Sequence, residues 1–371
     1  MKSPSMFRRA LSGALSGALS GALSGALSGA LATGLLAAST LALAATTSVP
    51  AAAPYLRPGV SFALLGDTPY GANEEVLFDR VIDDINASRN VRLVLHSGDT
   101  KAGSERCDDA LFIKRFNQYQ KLDDASIVTP GDNDWTDCHR VNNGSYLPTE
   151  RLDRFRQIFY PVTGMSTGKK PLALRSQATM AGHQAFVENT MWSFAGVTMA
   201  TVHVVGSNND LVPWSGIDAA DTVATPRADR IAEFQVREAA ALAWVDATFD
   251  QAIARDSAGV VLAMQANPFF ELPSSHPERQ GFNTFLTKLA ERSKAFGKPV
   301  LLAHGDTHYF RLDKPLVLAK LPSGSAALEN FTRLENFGSP SVHWVEVFVD
   351  ARDPNVFSVV PHIVPGNVYP R

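Results

Sequence analysis

Val91-Arg-Leu-Val-Leu95 runs directly into His96-Ser97-Gly98-Asp99, and this stretch decides how the fold is read. A short aliphatic run suits a strand buried on both faces, and a Gly-Asp pair supplies the turn that ends it. Four more such runs end in polar turns, three of them through a Gly-Asp pair. Ser61-Phe-Ala-Leu-Leu-Gly66 leads into Asp67, and Ser126-Ile-Val128 into Thr-Pro-Gly131-Asp132-Asn133-Asp134. Gly259-Val-Val-Leu-Ala-Met264 leads into Gln265-Ala-Asn267, and Pro299-Val-Leu-Leu-Ala303 into His304-Gly305-Asp306-Thr307-His308.

Between these runs lie segments with apolar residues at helical spacing: Leu77, Val81 and Ile85, then Leu111, Phe112, Phe116 and Tyr119, then a long stretch over 228–256. Strand and helix in alternation predict parallel strands with helices outside. Further strands are expected over 192–205, 343–349 and 356–364, enough for a second sheet. The expected fold is a layered α/β/β/α sandwich with two mixed, largely parallel sheets. Residues 162–184 and 206–226, rich in Gly, Ser, Thr and Asp, read as surface insertions.

The first 44 residues stand apart. Lys2, Arg8 and Arg9 precede a long uncharged run built on an Ala-Leu-Ser-Gly repeat, and Ala42-Leu43-Ala44 offers small residues at alternate positions. This is the pattern of a secretory signal peptide cleaved near Ala44, leaving a single domain over 45–371 in the periplasm or outside the cell. The rival reading is an uncleaved anchor, because the run exceeds the about 20 residues that cross a bilayer. Its Gly and Ser content speaks for the signal peptide. Cleavage removes three basic residues and takes the formal charge from −3 to −6. That balance speaks against general binding of nucleic acid or anionic membranes. The remaining roughly 325 residues are enough to bury a large core. Cys107 and Cys138 are the only cysteines. Export predicts that they form a disulfide, with two buried thiols as the alternative.

In parallel α/β sheets the turns beyond the strand carboxyl ends converge on one crevice. Any one Gly-Asp pair is an ordinary turn. Four strand ends that each deliver a carboxylate, the last followed by His308, are another matter. Clustered carboxylates repel one another unless cations neutralise them, so the sequence predicts a metal site.

Taken in order, these turns resemble the signature of the calcineurin-like metallophosphoesterases: Asp-x-His, Gly-Asp, Gly-Asn-His-Asp/Glu, a later His, and Gly-His-x-His. The resemblance runs from Asp67 to His308 and is closest at Asp67, Asp99 and His308. It implies that Asp67 and His308 hold a first divalent cation and that Asp99 bridges to a second. Asp132, Asp306 and either Gln265 or Asn267 would complete the second site. It also implies hydrolysis of a small phosphorylated substrate, a phosphomonoester first, by a hydroxide held between the two cations. Pro69, Asn133 and Asp306 stand where the family has His. A ligand set this rich in oxygen favours Mn²⁺, Mg²⁺ or Ca²⁺ over Zn²⁺ or Fe. A shift of one residue in the third turn would instead make Asn133 the ligand with Asp134 beside it, and both registers are open at this level.

Asn133, where the family has the His beside the leaving group, is a candidate catalytic group together with His304 and His96. For the two histidines a supporting or packing role is the alternative. Lys101, Arg106 and Arg140 follow the Asp99 and Asp132 turns and are candidates to clamp a phosphate, against the plainer reading of solvated loop cations. His203, inside an apolar run, reads as structural. A Cys107–Cys138 bridge would tie two ligand-bearing loops together. The sequence contains no P-loop, no Gly-x-Ser-x-Gly elbow and no His-Glu-x-x-His pair. The replaced histidines keep a second class of function open, a non-catalytic descendant that binds one cation, a phosphorylated ligand or a cell-envelope partner. A hydrolase of another ester or of a phosphonate is a third.

Overall fold

A computed structural model describes residues 59–317 and 327–368. The targeting segment expected over 1–44 and its cleavage point lie outside the described residues. The described residues form one compact unit. The described strands, in chain order, are β1 (Val60–Leu65), β2 (Val91–His96), β3 (Ala125–Val128), β4 (Arg175–Ser176), β5 (Thr190–Phe194) and β6 (Val197–Thr201). They continue with β7 (Val260–Ala263), β8 (Val300–His304), β9 (Arg311–Asp313), β10 (Phe331–Glu335), β11 (Trp344–Val349) and β12 (Phe357–His362).

All five aliphatic runs are strands. They lie in two mixed sheets, ordered β12-β11-β1-β2-β3 and β4-β5-β6-β7-β8-β10-β9, with β3 at one edge of the first. Each sheet has a parallel run, β1-β2-β3 in one and β6-β7-β8-β10 in the other. The remaining pairings are antiparallel.

Alternation along the strands sets the layers. Phe62 and Leu64 of β1 join a core between the sheets with Met199, Val261 and Leu301, while Ala63 and Leu65 pack with Phe78, Val81 and Phe112. Those three residues belong to helices Gly71–Ala87 and Asp109–Tyr119, which cover the outer face of the first sheet with helix Pro148–Phe159. Helices Ala228–Ala254 and Asn283–Phe296 cover the second sheet through Trp244, Phe249, Phe285 and Leu289. A fully buried Leu or Phe stabilises by about 1.5 to 3 kcal/mol, so strands covered on both faces favour aliphatic residues throughout. Among the described residues no helix is long and apolar enough to cross a membrane.

Two expectations change, and one strand was not expected. The strand expected over 192–205 is a hairpin, β5 and β6, turned at Ala195 and Gly196, both with positive φ. Strand β10 carries no apolar signal because Arg333 and Glu335 are buried within it, paired to Asp313 and to Arg311. Segment 206–226 is more than a surface insertion: Trp214 is fully buried, and Ser207 to Asp210 form a turn of left-handed backbone that follows Gly206 at the carboxylate crevice.

Candidate metal centre

The five polar turns meet. Across the two sheets, Asp306 donates its backbone N–H to Asp67 Oδ1 at 2.9 Å. Gln265 Nε2 lies within hydrogen-bond reach of Asp99 Oδ2, Asp132 Oδ1 and Asp306 Oδ1 at 3.1, 3.0 and 3.4 Å, with two N–H groups to share among them. Within the first sheet, Asn133 donates its backbone N–H to Asp99 Oδ1 at 3.1 Å. The turns hold this geometry against backbone preference. Asp67, Asp99, Asp306 and His308 all have positive φ, as do Ser207, Asn208, Asn209 and Asp210 beside them. Left-handed backbone costs a non-glycine residue on the order of 1 kcal/mol, so strain is concentrated at this crevice. Gly206 is required by close approach, since a Cβ there would lie 2.7 Å from Asp132 Oδ2 and 2.9 Å from Asp306 Oδ1.

Asp67, Asp99 and Asp132 are buried and Asp306 is partly so. Among the described residues no Lys or Arg pairs with any of the four, and the one charged-type partner is His308 Nε2, 3.7 Å from Asp67 Oδ1. Burial pushes the Asp67 carboxyl up to about 7. Burial, then repulsion from Asp132 and the other carboxylates, pushes Asp99 and Asp306 well above the usual carboxylate range. The crevice therefore lacks positive charge, the condition a divalent cation relieves.

His308 is set up as a nitrogen donor. Its Nδ1 lies 2.7 Å from the Ser339 carbonyl oxygen, which can only accept, so Nδ1 carries the proton and the Nε2 lone pair faces Asp67 and Tyr70. By type, the donors are carboxylate oxygens with one imidazole nitrogen, the kind that hard divalent cations take. Among the described residues no three His, Cys, Asp or Glu side chains are already drawn to coordination spacing. Amide and phenol groups stand between them, and Gln265 is the clearest case: its nitrogen faces the carboxylates, while its oxygen accepts from Gly206 N at 2.6 Å.

Asp132 and Asn133 both face the crevice, Asp132 through Ser207 Oγ at 2.8 Å and Asn133 Nδ2 through Asp99 Oδ2 at 3.0 Å. Asp134 turns away and accepts from Asp99 N, Thr100 N, Thr100 Oγ and Gly131 N. Asn267 reaches Asp306 Oδ2 with its backbone N–H at 2.8 Å, while its side chain caps Phe269 N.

The other expected residues lie around this crevice. His96 is buried beneath Thr68, bonded to Tyr119 OH, Thr68 O and Gly98 N, and burial pulls it down to about 4. His304 is fully buried, turned to the Gly305 carbonyl and likewise pulled down by burial to about 4. Neither histidine reaches the carboxylates by a hydrogen bond. Lys101, expected at a phosphate, is buried and donates to the Ala102 and Glu105 carbonyls. Arg106 pairs with Asp108 at the surface. Arg140 is half-exposed and pairs with Asp137, whose Oδ1 accepts from Ser207, so it borders the crevice. His203 is structural, as expected: Nδ1 bonds Glu188 Oε1 at 2.7 Å, and its ring meets that of Trp135 edge to face. Cys107 and Cys138 form the expected disulfide, both sulfurs within 3.9 Å of the Asn133 carbonyl oxygen.

Sequence reasoning missed four residues. Asn336 Nδ2 donates to Asp67 Oδ2 at 2.9 Å, Ser339 orients His308, and Ser207 bonds Asp132. Tyr70 OH lies 3.4 Å from Asp99 Oδ2, 3.3 Å from His308 Nε2 and 3.0 Å from Asn133 Nδ2. The one available signal was proximity to Asp67, three residues before Tyr70.

No protein-family model matches the chain, and no curated protein matches it. Among solved structures, the chain is similar to GAP50, the anchor in the inner membrane complex of Plasmodium. That match has a TM-score of 0.42 and 10% identity, and covers 82% of this chain and 88% of that one. It is also similar to the phosphopantetheinyl hydrolase (PptH) from Mycobacterium tuberculosis, with a TM-score of 0.44, 13% identity, and 76% and 91% of the two chains covered. At these scores neither likeness bears on what the chain does.

Proposed function

We propose that this chain is an exported, metal-dependent hydrolase of phosphate esters. The observation that carries the reading is the crevice itself: four carboxylates from four strand-end turns, with no Lys or Arg paired to them among the described residues and one imidazole oriented by a carbonyl. Asp67 and His308 would hold one cation, Asp132 and Asp306 a second, and Asp99 would bridge them. Bound there, the cations would neutralise the phosphoryl oxygens and make a water nucleophilic at neutral pH. The protein's own part is positioning. Asp134 and Asn336 fix the carboxylates, Ser339 fixes the His308 ring, and Arg140 at the border is available to the substrate's remaining charge. The disulfide fits an oxidising compartment and supports export.

The test is metal analysis of the purified protein beside hydrolysis of an aryl phosphate with each divalent ion added. The expected result is activity that is lost on chelation and restored by Mn²⁺, Mg²⁺ or Ca²⁺. Activity indifferent to chelators would sink the proposal.

The position of Gln265 favours a second reading. Its amide nitrogen sits within hydrogen-bond reach of Asp99, Asp132 and Asp306, where the resemblance expects a ligand. A protein that keeps one cation site and binds a phosphorylated ligand or envelope partner without turnover fits that feature. A stoichiometry of one ion per chain with no hydrolysis would select it.

A further inference from the structure

We propose that Tyr70 is the side chain that grips the phosphoryl group of the substrate, through a hydrogen bond from its phenol to a non-bridging oxygen. The inference rests on the metal-dependent reading above and names a contact that the resemblance does not assign. Tyr70 OH accepts from Asn133 Nδ2 at 3.0 Å, and its own proton has two acceptors within reach, His308 Nε2 at 3.3 Å and Asp99 Oδ2 at 3.4 Å. Both are groups that a cation would claim. Once the His308 lone pair and the Asp99 oxygen are engaged, the phenol proton loses both partners, while Asn133 still holds the oxygen in place. A phosphoryl oxygen drawn to the cations is the acceptor that then restores the bond. The ring is held in position for this contact, because it packs edge-on to the His308 ring with centroids 5.2 Å apart, and the backbone N–H of Tyr70 bonds Glu74 Oε2 at 2.8 Å. Tyr70 also keeps part of its surface exposed, so it stands between the buried carboxylates and solvent.

Inorganic phosphate is the probe. Titrated calorimetrically into manganese-loaded protein, it should bind Tyr70→Phe about tenfold or more weaker than wild type, the loss typical of one hydrogen bond to a charged group. Manganese content and thermal midpoint should be unchanged, because phenylalanine keeps the ring packing. Equal phosphate affinity in the two proteins overturns the assignment. Loss of manganese from Tyr70→Phe also overturns it, since the phenol would then serve the cation rather than the substrate. Wild-type protein that takes up no manganese and binds no phosphate overturns this inference together with the metal reading, and the metal analysis alone identifies that case.

Discussion

The Asp134 carboxylate closes on the Asp99 turn, accepting the Asp99 backbone N–H at 3.0 Å and the Thr100 hydroxyl at 2.7 Å. With Thr100 N and Gly131 N it satisfies four donors, so one buried side chain ties the third turn to the second and holds Asp99 at φ 57. Replacing Asp134 by Ala leaves those donors unpaired and should lower stability by about 2 to 3 kcal/mol. Cation affinity should fall as well. Urea unfolding and metal titration of the variant check this, and a stability loss under ~0.5 kcal/mol, within the range of an ordinary surface substitution, would contradict it.

Asp99→Asn should abolish bridging between cations and with it hydrolysis, because a neutral amide does not serve two dications as a carboxylate does. The fold should survive. Among the described residues Asp99 has no ion pair to lose, and its charge is already disfavoured by burial and by Asp132. Metal analysis with near-UV circular dichroism separates the two effects, and retained activity in this variant would remove Asp99 from the site.

The aspartates of the crevice are legible in sequence because Gly-Asp at a strand end is a local pattern, and the aliphatic runs before it are local as well. What escapes is whatever depends on the partner sheet. Asn336 follows β10, whose Arg333 and Glu335 look solvated until Asp313, Glu271 and Arg311 are seen to bury them. Ser207 lies in a stretch of small polar residues that reads as loop, and only the crevice explains its left-handed backbone. His96 and His304 mislead for the same reason. Adjacency in sequence to a ligand turn does not reveal that the side chain points into the packed layer beneath it.

The Cys107–Cys138 bridge joins residues 31 apart and touches the Asn133 carbonyl from both sulfurs. Closing such a loop stabilises by roughly 3 to 4 kcal/mol in the chain-entropy model. The double variant Cys107→Ala, Cys138→Ala should lose about that much in chemical unfolding. Its activity should decline at denaturant concentrations well below the unfolding midpoint, because the bond orders the site loops. Coincident loss of activity and structure would show that the bridge serves the core instead.

Stability should fall in acid through Glu188. Burial alone would raise this carboxyl, but Arg156 and His203 outweigh it and hold it down to about 2. A folded pKa below the unfolded value means stability that is complete above about pH 4.5 and lost as pH falls toward 2. His203, held below its usual value by burial, adds a loss of the same sign that begins near pH 6.5, where the unfolded imidazole takes up a proton. Unfolding midpoints between pH 7 and pH 3 should therefore drop more steeply in wild type than in Glu188→Gln. Parallel curves would remove Glu188 as the source.

Asn133 occupies the place where the resemblance puts a histidine beside the leaving group. Its amide donates hydrogen bonds, here to Asp99 and Tyr70, but delivers no proton at neutral pH. His96 and His304 do not make up the loss, since both are buried, held near 4, and bonded to backbone or to Tyr119 rather than to the crevice. His308 is committed through Nδ1 to Ser339, with Nε2 turned to the carboxylates. A leaving alkoxide therefore departs without a protein imidazole to protonate it, whereas a nitrophenolate needs none. General acid help is typically worth ~10²- to 10⁴-fold, so hydrolysis of alkyl phosphates should lag that of nitrophenyl phosphate by a margin a simple substrate series can read. Asn133→His should narrow the gap by raising the alkyl rate, with little change on the aryl ester. His96→Ala and His304→Ala should leave the ratio of the two rates where it was. If wild type already treats both substrates alike, an acid is present that this geometry does not supply, and the placement of Asn133 beside the leaving group is wrong.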